Sequence, residues 1–247
     1  MHVMIIGAAG MVGRKLVERL AAEPASLGGE IDRLTLVDVV EPPVPPAFAS
    51  ISSSLALDLS TDGAADKLTA SRPDVIFHLA AIVSGEAEAD FDKGYTVNLD
   101  GTRALFEAIR HEGNRQPYLP RVLFSSSIAV FGQPFPEKIG DEFFTTPLTS
   151  YGTQKAISEL LLADYSRRGI FDGVGIRLPT ICIRPGKPNK AASGFFPTFS
   201  ANRLPVRRRC CRWMKMCVIG LQARARRSDS SFMLRKWIRR RSAQGAI

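Results

Sequence analysis

The run VMIIGAAGMVGRKLVERLAAE, residues 3–23, constrains the fold more than any other part of the chain. VMIIG is a short apolar run of strand character, and MVGRKLVERLAAE repeats apolar residues at helical spacing. Between them stand glycines at 7, 10 and 13, which let the backbone turn sharply from strand into helix. The same alternation continues along the chain. LTLVDV (34–39), SLALDL (54–59), DVIFHLA (74–80), RVLFSSS (121–127) and GVGIRL (173–178) read as further strands. VNLDGTRALFEAIRHEG (97–113) and the segment beginning near Tyr151 read as helices. Strands alternating with helices predict an α/β fold built on a doubly wound parallel sheet. EPPVPPAF (41–48) reads as a Pro-rich surface loop.

Gly7, Gly10 and Gly13 form a GxxGxxG arrangement. Such a turn lets the backbone approach a pyrophosphate, which then sits at the helix N-terminus. The spacing differs from GxGxxG, and by itself a structural glycine turn explains it as well. The second strand adds Asp38, 25 residues beyond Gly13, where a carboxylate can accept hydrogen bonds from adenosine ribose hydroxyls. Strand, glycines, helix, strand and acid in that order point to dinucleotide binding. Asp38, followed by Val39, Val40 and Glu41 with no basic residue, disfavours the 2′-phosphate of NADP and selects NAD.

A second constellation lies at SYGTQKA, 150–156. Thr149 or Ser150 can serve as N-cap, which puts Tyr151 and Lys155 one turn apart on the same helix face. Ala156, Ile157, Leu160, Leu161 and Tyr165 supply the apolar stripe. Taken alone, the pair is explained by a solvated face of an amphipathic helix. The dinucleotide motif supplies a second explanation. SSS at 125–127 ends the fifth strand, where open α/β sheets place their ligands. A tyrosine with a pKa of about 10 is a poor base, but a nearby ammonium, an oxidised nicotinamide and a helix N-terminus all favour its phenolate. Lys155 would then lower the Tyr151 pKa and hold the nicotinamide ribose, while a serine hydroxyl orients a substrate alcohol.

Together, GAAGMVG, Asp38, the Asp58–Leu59 pair, HLAA (78–81), VN ending at Asn98, SSS (125–127) and YGTQK (151–155) resemble the extended short-chain dehydrogenases/reductases, the NAD-dependent epimerase/dehydratase family. The resemblance covers about residues 1–196 and implies a Rossmann NAD-binding domain. It implies that Ser127, with Ser126 beside it, Tyr151 and Lys155 are catalytic. For the cofactor it implies Gly7, Gly10, Met11, Val12 and Gly13 at the pyrophosphate turn, Asp38 at the ribose, and Asp58 and Leu59 at the adenine edge. It places Leu79, Ala80 and Ala81 beneath the cofactor, adds Ser125, Tyr151 and Lys155, and puts Pro179 near the carboxamide. Asn98, counted with the cofactor set, matches a structural or proton-relay asparagine.

Within that family, AAIVSGEAEADFD (80–92), SSIAVFG (126–132), LTSYGTQKAISELLLADYSRRG (148–169) and RLPTICIRPGKPNKAASGFF (177–196) are similar to the D-erythronate dehydrogenase branch. This implies oxidation of the C2 hydroxyl of a four-carbon sugar acid, such as D-erythronate, to the 2-oxo acid. Arg184, Lys187 and Lys190 suit a small anionic substrate, or form a solvated loop. Two other readings stay open. One is a nucleotide-sugar epimerase or dehydratase that retains its NAD. The other is a non-enzymatic protein whose basic tail binds nucleic acid or anionic surfaces, although the tail has no motif with a defined groove fit.

Charge marks a boundary. Residues 198–247 hold 14 Lys and Arg against one acid, Asp229, whereas residues 1–197 hold 19 basic and 23 acidic residues. The net charge of +9 therefore comes from the end of the chain. We expect an NAD-binding domain over 1–197 and an atypical basic tail over 198–247. Past SGFF (193–196) the family pattern continues into a substrate-binding lobe. Here an Arg-, Cys- and Trp-rich segment follows, for which a shifted reading frame is the simplest explanation and a genuine basic tail the rival. On that reading the tail packs loosely, the sheet edge promotes aggregation, and the chain has little or no dehydrogenase activity. Four irregularly spaced cysteines, no transmembrane run and no leader peptide predict a cytoplasmic protein with reduced thiols and no membrane partner. His78 reads as packing, His2 and His111 lack partners for a metal site, and Cys182 reads as a small buried hydrophobe. The oligomeric state stays open, with a homodimer among the options.

Overall fold

The structure is a computed structural model that describes residues 1–140 and 143–179. Its strands are β1 (His2–Ile6), β2 (Arg33–Asp38), β3 (Ser52–Ala56), β4 (Val75–His78), β5 (Arg121–Ser127) and β6 (Asp172–Leu178). They form one sheet in the order β3–β2–β1–β4–β5–β6, and every neighbouring pair is parallel. The helices are α1 (Met11–Ala22), α2 (Ala64–Thr69), α3 (Ser84–Ala89), α4 (Phe91–Tyr95), α5 (Gly101–Arg115) and α6 (Ser150–Arg167). The predicted doubly wound sheet is present, and its order reverses between β1 and β4.

Strand periodicity divides the core. Val3 and Ile5 of β1 pack on one face with Leu34, Leu36, Phe77 and the α1 residues Val17 and Leu20. Met4 and Ile6 pack on the other with Ile76, Val122, Phe124, Leu68 of α2, Leu105, Phe106 and Ile109 of α5, and Leu162 of α6. All of β1 is buried, as a central strand of a sheet covered on both faces must be. Phe106 is fully buried, with the Phe171 ring 4.9 Å away and the Tyr165 ring 5.7 Å away. Burial of such a side chain contributes roughly 2–3 kcal/mol.

Element boundaries depart from expectation in ways that have local causes. β3 is Ser52–Ala56 rather than 54–59, because Asp58 folds its carboxylate back onto Ser60, accepting from the backbone N–H at 2.9 Å and from the hydroxyl at 2.7 Å. That Asx turn ends the strand. β4 stops at His78, two residues before the expected end, since Leu79 and Ala80 bend past Gly7. The helix expected at 97–113 begins instead as a π-turn over Thr96–Asp100 and becomes α5 at Gly101. On α6 the expected apolar stripe is only half right. Leu160 is 69% exposed, while Gln154, Lys155 and Ser158 are buried beside Ala156 and Leu162. Among the described residues, no helix is long and apolar enough to cross a membrane.

Candidate active site

A parallel sheet collects the C-terminal ends of its strands along one edge, and the predicted site residues lie there. Gly7 follows β1, Asp38 ends β2, and Asp58 and Leu59 follow β3. Leu79, Ala80 and Ala81 follow β4, Ser127 ends β5, and exposed Pro179 follows β6. The crevice at the β1–β4 reversal is where open α/β sheets bind ligands.

The glycine turn is built for close approach. Gly7 has a φ of +93°, which an L side chain resists, and a Cβ on it would lie 2.6 Å from the Ala80 nitrogen. The turn and the 79–81 segment therefore press together, and the Gly7 and Ala8 N–H groups both donate to the Val37 carbonyl, at 2.8 and 3.1 Å. Gly10 is the N-cap of α1. No side chain caps that helix, and no acid occupies its first turn. A Cβ on Gly10 would meet only the Gly7 oxygen, at 3.3 Å. The N–H groups of Met11, Val12 and Gly13, which no side chain caps, suit a pyrophosphate. Asp38 is held at the rim of this turn: one carboxylate oxygen accepts from the Ala9 N–H at 2.9 Å, the other from the Val39 N–H at 2.8 Å. Each oxygen keeps a lone pair for a ribose hydroxyl. Asp58 borders an open cavity of about 380 Å³ with Leu57, Thr61, Asp62 and Lys67. Leu59 turns its side chain into the core. These donor and acceptor groups fit an NAD.

The catalytic candidates meet between β5 and α6. Thr149 is the N-cap of α6, its hydroxyl accepting from the Gly152 N–H at 3.0 Å. Gly152 lets the first turn ride against the chain after β5, since a Cβ there would lie 2.2 Å from the Ala129 oxygen. This brings Tyr151 beside the strand end that carries Ser127, whose hydroxyl accepts from the Ala129 N–H at 3.2 Å. Lys155 is 1% exposed. Its ammonium donates to the Ser125 carbonyl at 2.9 Å and lies 4.6 Å from the Phe124 ring centroid and 5.9 Å from that of Tyr151. Burial pushes its pKa down to about 7, and the Glu159 carboxylate opposes that fall. Ser125 donates its hydroxyl to the His78 carbonyl at 3.1 Å, tying β5 to β4. Ser126 points the other way. Its hydroxyl is buried and finds no partner among the described residues.

Asn98 sits in the π-turn with both ends of its amide engaged. Its oxygen accepts from the Ile82 N–H at 2.9 Å, and its NH₂ donates to the Ile82 carbonyl at 3.3 Å and to the Gln154 side-chain oxygen at 2.8 Å. His78 is buried against Thr102, with 2.8 Å between the ring Nε2 and the hydroxyl oxygen. Burial first, and the Lys155 charge second, push its pKa down to about 3, so it is a neutral packing residue. The sequence reading passed over Gln154, Gly152 and the Glu159–Arg177 ion pair. A signal for the first two was available, since both interrupt the apolar stripe just where the helix meets β5. Among the described residues there is no metal-binding cluster. Arg184, Lys187, Lys190, Cys182 and the 198–247 tail lie outside the described residues.

The chain is 48% identical over 200 residues to a D-erythronate dehydrogenase of Cupriavidus necator, covering 79% of this chain and 60% of that one. It is 46% identical over 195 residues to a D-erythronate dehydrogenase of Haemophilus influenzae, covering 79% and 59%. The chain thus spans about 60% of the length of the curated relatives it matches. A crystal structure described as the nucleoside-diphosphate-sugar epimerase of Agrobacterium tumefaciens superposes with a TM-score of 0.76 at 68% identity, covering 80% of this chain and 58% of that one. The NAD dependent epimerase/dehydratase family model matches residues 3–213, and the chain belongs to that family.

Proposed function

We propose that residues 1–197 form the NAD-binding and proton-transferring part of a dehydrogenase that oxidises the C2 hydroxyl of a small anionic sugar acid, such as D-erythronate, to the 2-oxo acid. The observation that carries this reading is the placement of Lys155, a buried amine fixed on the Ser125 carbonyl one helical turn beyond Tyr151 at the mouth of the crevice. NAD, when bound, accepts the hydride. The protein's part is to hold the alcohol and move its proton. Ser127 orients the substrate hydroxyl, Tyr151 accepts the hydroxyl proton as a phenolate, and the Lys155 charge stabilises that phenolate and holds ribose hydroxyls. Asn98, occupied at both ends by Ile82 and Gln154, serves as a structural lock rather than a proton relay. Ser126, enclosed behind the strand, supports the wall and does not touch substrate.

The D-erythronate dehydrogenases support the substrate class, and the Agrobacterium relative, described as a nucleoside-diphosphate-sugar epimerase, supports a second reading, a nucleotide-sugar epimerase that keeps its NAD. One assay separates them. NADH formation is followed with a panel of four-carbon sugar acids, on this chain and on a full-length relative in parallel. Net NADH with D-erythronate in the relative supports the first reading. Interconversion of a nucleotide sugar without net NADH supports the second. NAD binding to this chain, measured by calorimetry, tests the nucleotide site directly, and its absence would refute the assignment of Gly7–Gly13 and Asp38.

A further inference from the structure

Lys155 is a buried cation that no carboxylate touches among the described residues. Its surroundings do little for its charge. From β5 it meets the Ser125 carbonyl and the Phe124 ring, from its own helix the Tyr151 ring at 5.9 Å, and from β4 the neutral imidazole of His78, which senses the Lys155 charge. Among the described residues, Glu159 is the acid whose charge opposes the fall in its pKa. That residue lies four positions further along α6, hence one turn away on the same face. The Glu159 carboxylate is itself clamped by Arg177 of β6. Arg177 Nε lies 3.0 and 3.2 Å from its two oxygens and the terminal nitrogen 2.7 Å from one of them. The guanidinium in turn lies 4.7 Å from the Phe131 ring centroid. A bidentate, ring-stacked arginine fixes where a carboxylate points.

We propose that Glu159 and Arg177 are positioning residues for Lys155: the Glu159 carboxylate, one turn behind the buried amine, favours its charge where Tyr151 and the cofactor need it, and Arg177, by clamping that carboxylate, limits how strongly it does so. This inference rests on the reading of Lys155 given above and adds to it the groups that set the lysine's protonation. The site is thus wired across β6 and α6, and the acid at position 159 acts through Lys155 without touching substrate.

The test is an NMR titration of the full chain carrying ¹³C-labelled lysine, with the Lys155 resonance assigned by its absence in Lys155→Met. Glu159→Gln is expected to lower the Lys155 midpoint by about half a unit to one unit, the scale of one nearby charge at a partly screened site. The sign is diagnostic, because loosening of the packing would expose the amine and raise its midpoint. Arg177→Met strips the counter-charge from Glu159 and is expected to raise the midpoint by a similar amount, a rise that vanishes in Arg177→Met/Glu159→Gln and is thereby separated from loosened packing; Glu159→Ala carries the test if Glu159→Gln does not fold. Glu107→Gln on α5, where the acid pairs with Arg110, should leave Lys155 unchanged. An unchanged or raised midpoint in Glu159→Gln, an unchanged or lowered one in Arg177→Met, or an equal shift in Glu107→Gln overturns the proposal. Failure of the underlying reading appears separately, as NAD affinity that is unchanged by Lys155→Met.

Discussion

Replacing Lys155 with Met should make the protein more stable near pH 6 while destroying its affinity for NAD. The native pKa is about 7, against the ordinary value of 10.5 that the unfolded chain adopts. Below about pH 7 both states carry the proton, and the full cost of burying the charge is present. Between about 7 and 10.5 the unfolded chain holds a proton that the native state has released, so stability climbs with pH in that window. At about 1.4 kcal/mol per unit, Lys155 alone should add about 2–3 kcal/mol between pH 6 and pH 9. Met has similar bulk and no charge to desolvate, but it leaves the Ser125 carbonyl without its donor, a loss of about 1–3 kcal/mol. The depressed pKa corresponds to about 4–5 kcal/mol at low pH, so the variant gains on balance there. Urea unfolding followed by circular dichroism at half-unit steps of pH measures both curves. Their difference should shrink by about 2–3 kcal/mol from pH 6 to pH 9, with contributions common to both proteins cancelling. Parallel curves would refute the argument that Lys155 is buried at the expense of its own charge.

Tyr151→Phe should leave NAD affinity in this chain unchanged by calorimetry, and the matching change in a full-length relative should lower turnover by roughly 10²–10⁴-fold. Normal turnover there would remove Tyr151 from the chemistry. NAD should bind at least about tenfold more tightly than NADP, because the Asp38 carboxylate fixed by the Ala9 and Val39 N–H groups faces the 2′-phosphate with like charge. Asp38→Asn should narrow that ratio, and a ratio already near one would refute the assignment. Gly7→Ala combines a left-handed backbone with a Cβ 2.6 Å from the Ala80 nitrogen, and a loss of more than about 3 kcal/mol is expected in urea unfolding.

What the sequence made legible was whatever a period or a short motif encodes. The strand runs placed six strands, and the glycine turn and Asp38 came out where the pattern put them, because a tight turn and a strand-end acid are local demands. The run SLALDL (54–59) overshoots the end of β3, because the Asx turn at Asp58 closes the strand before the run ends. Leu160 was read as core because helical spacing says only that one face is apolar. The partner decides which face is buried, and here β5 and the π-turn ask for Gln154, Lys155 and Ser158. The π-turn itself has no signature in composition. It extends the helix entrance by enough to aim Asn98 at Ile82, a contact between residues 16 apart.

That buried polar face explains how one tyrosine can be placed by a helix standing on the sheet. A helix held by an apolar stripe can slide or roll at little cost, whereas Gln154, Lys155 and Ser158, the polar side chains buried on α6, each have a partner at a defined distance, although the Gln154 Nε2 finds none among the described residues. Gln154 meets Asn98 and through it Ile82, beside the segment that presses on the glycine turn. Lys155 meets the Ser125 carbonyl on β5, and Ser158 closes onto the Gln154 carbonyl at 2.8 Å. Glu159 meets Arg177 on β6, while Thr149 and Gly152 fix the first turn against the segment after β5. The helix is thereby tied to the π-turn, β5 and β6 within ten residues of Tyr151. A roll of α6 would break several of these bonds at once and leave buried groups unpaired, each at about 1–3 kcal/mol. The helix gives up apolar burial for a position set from several directions, and the residue so positioned is Tyr151, whose proposed proton transfer would tolerate little displacement.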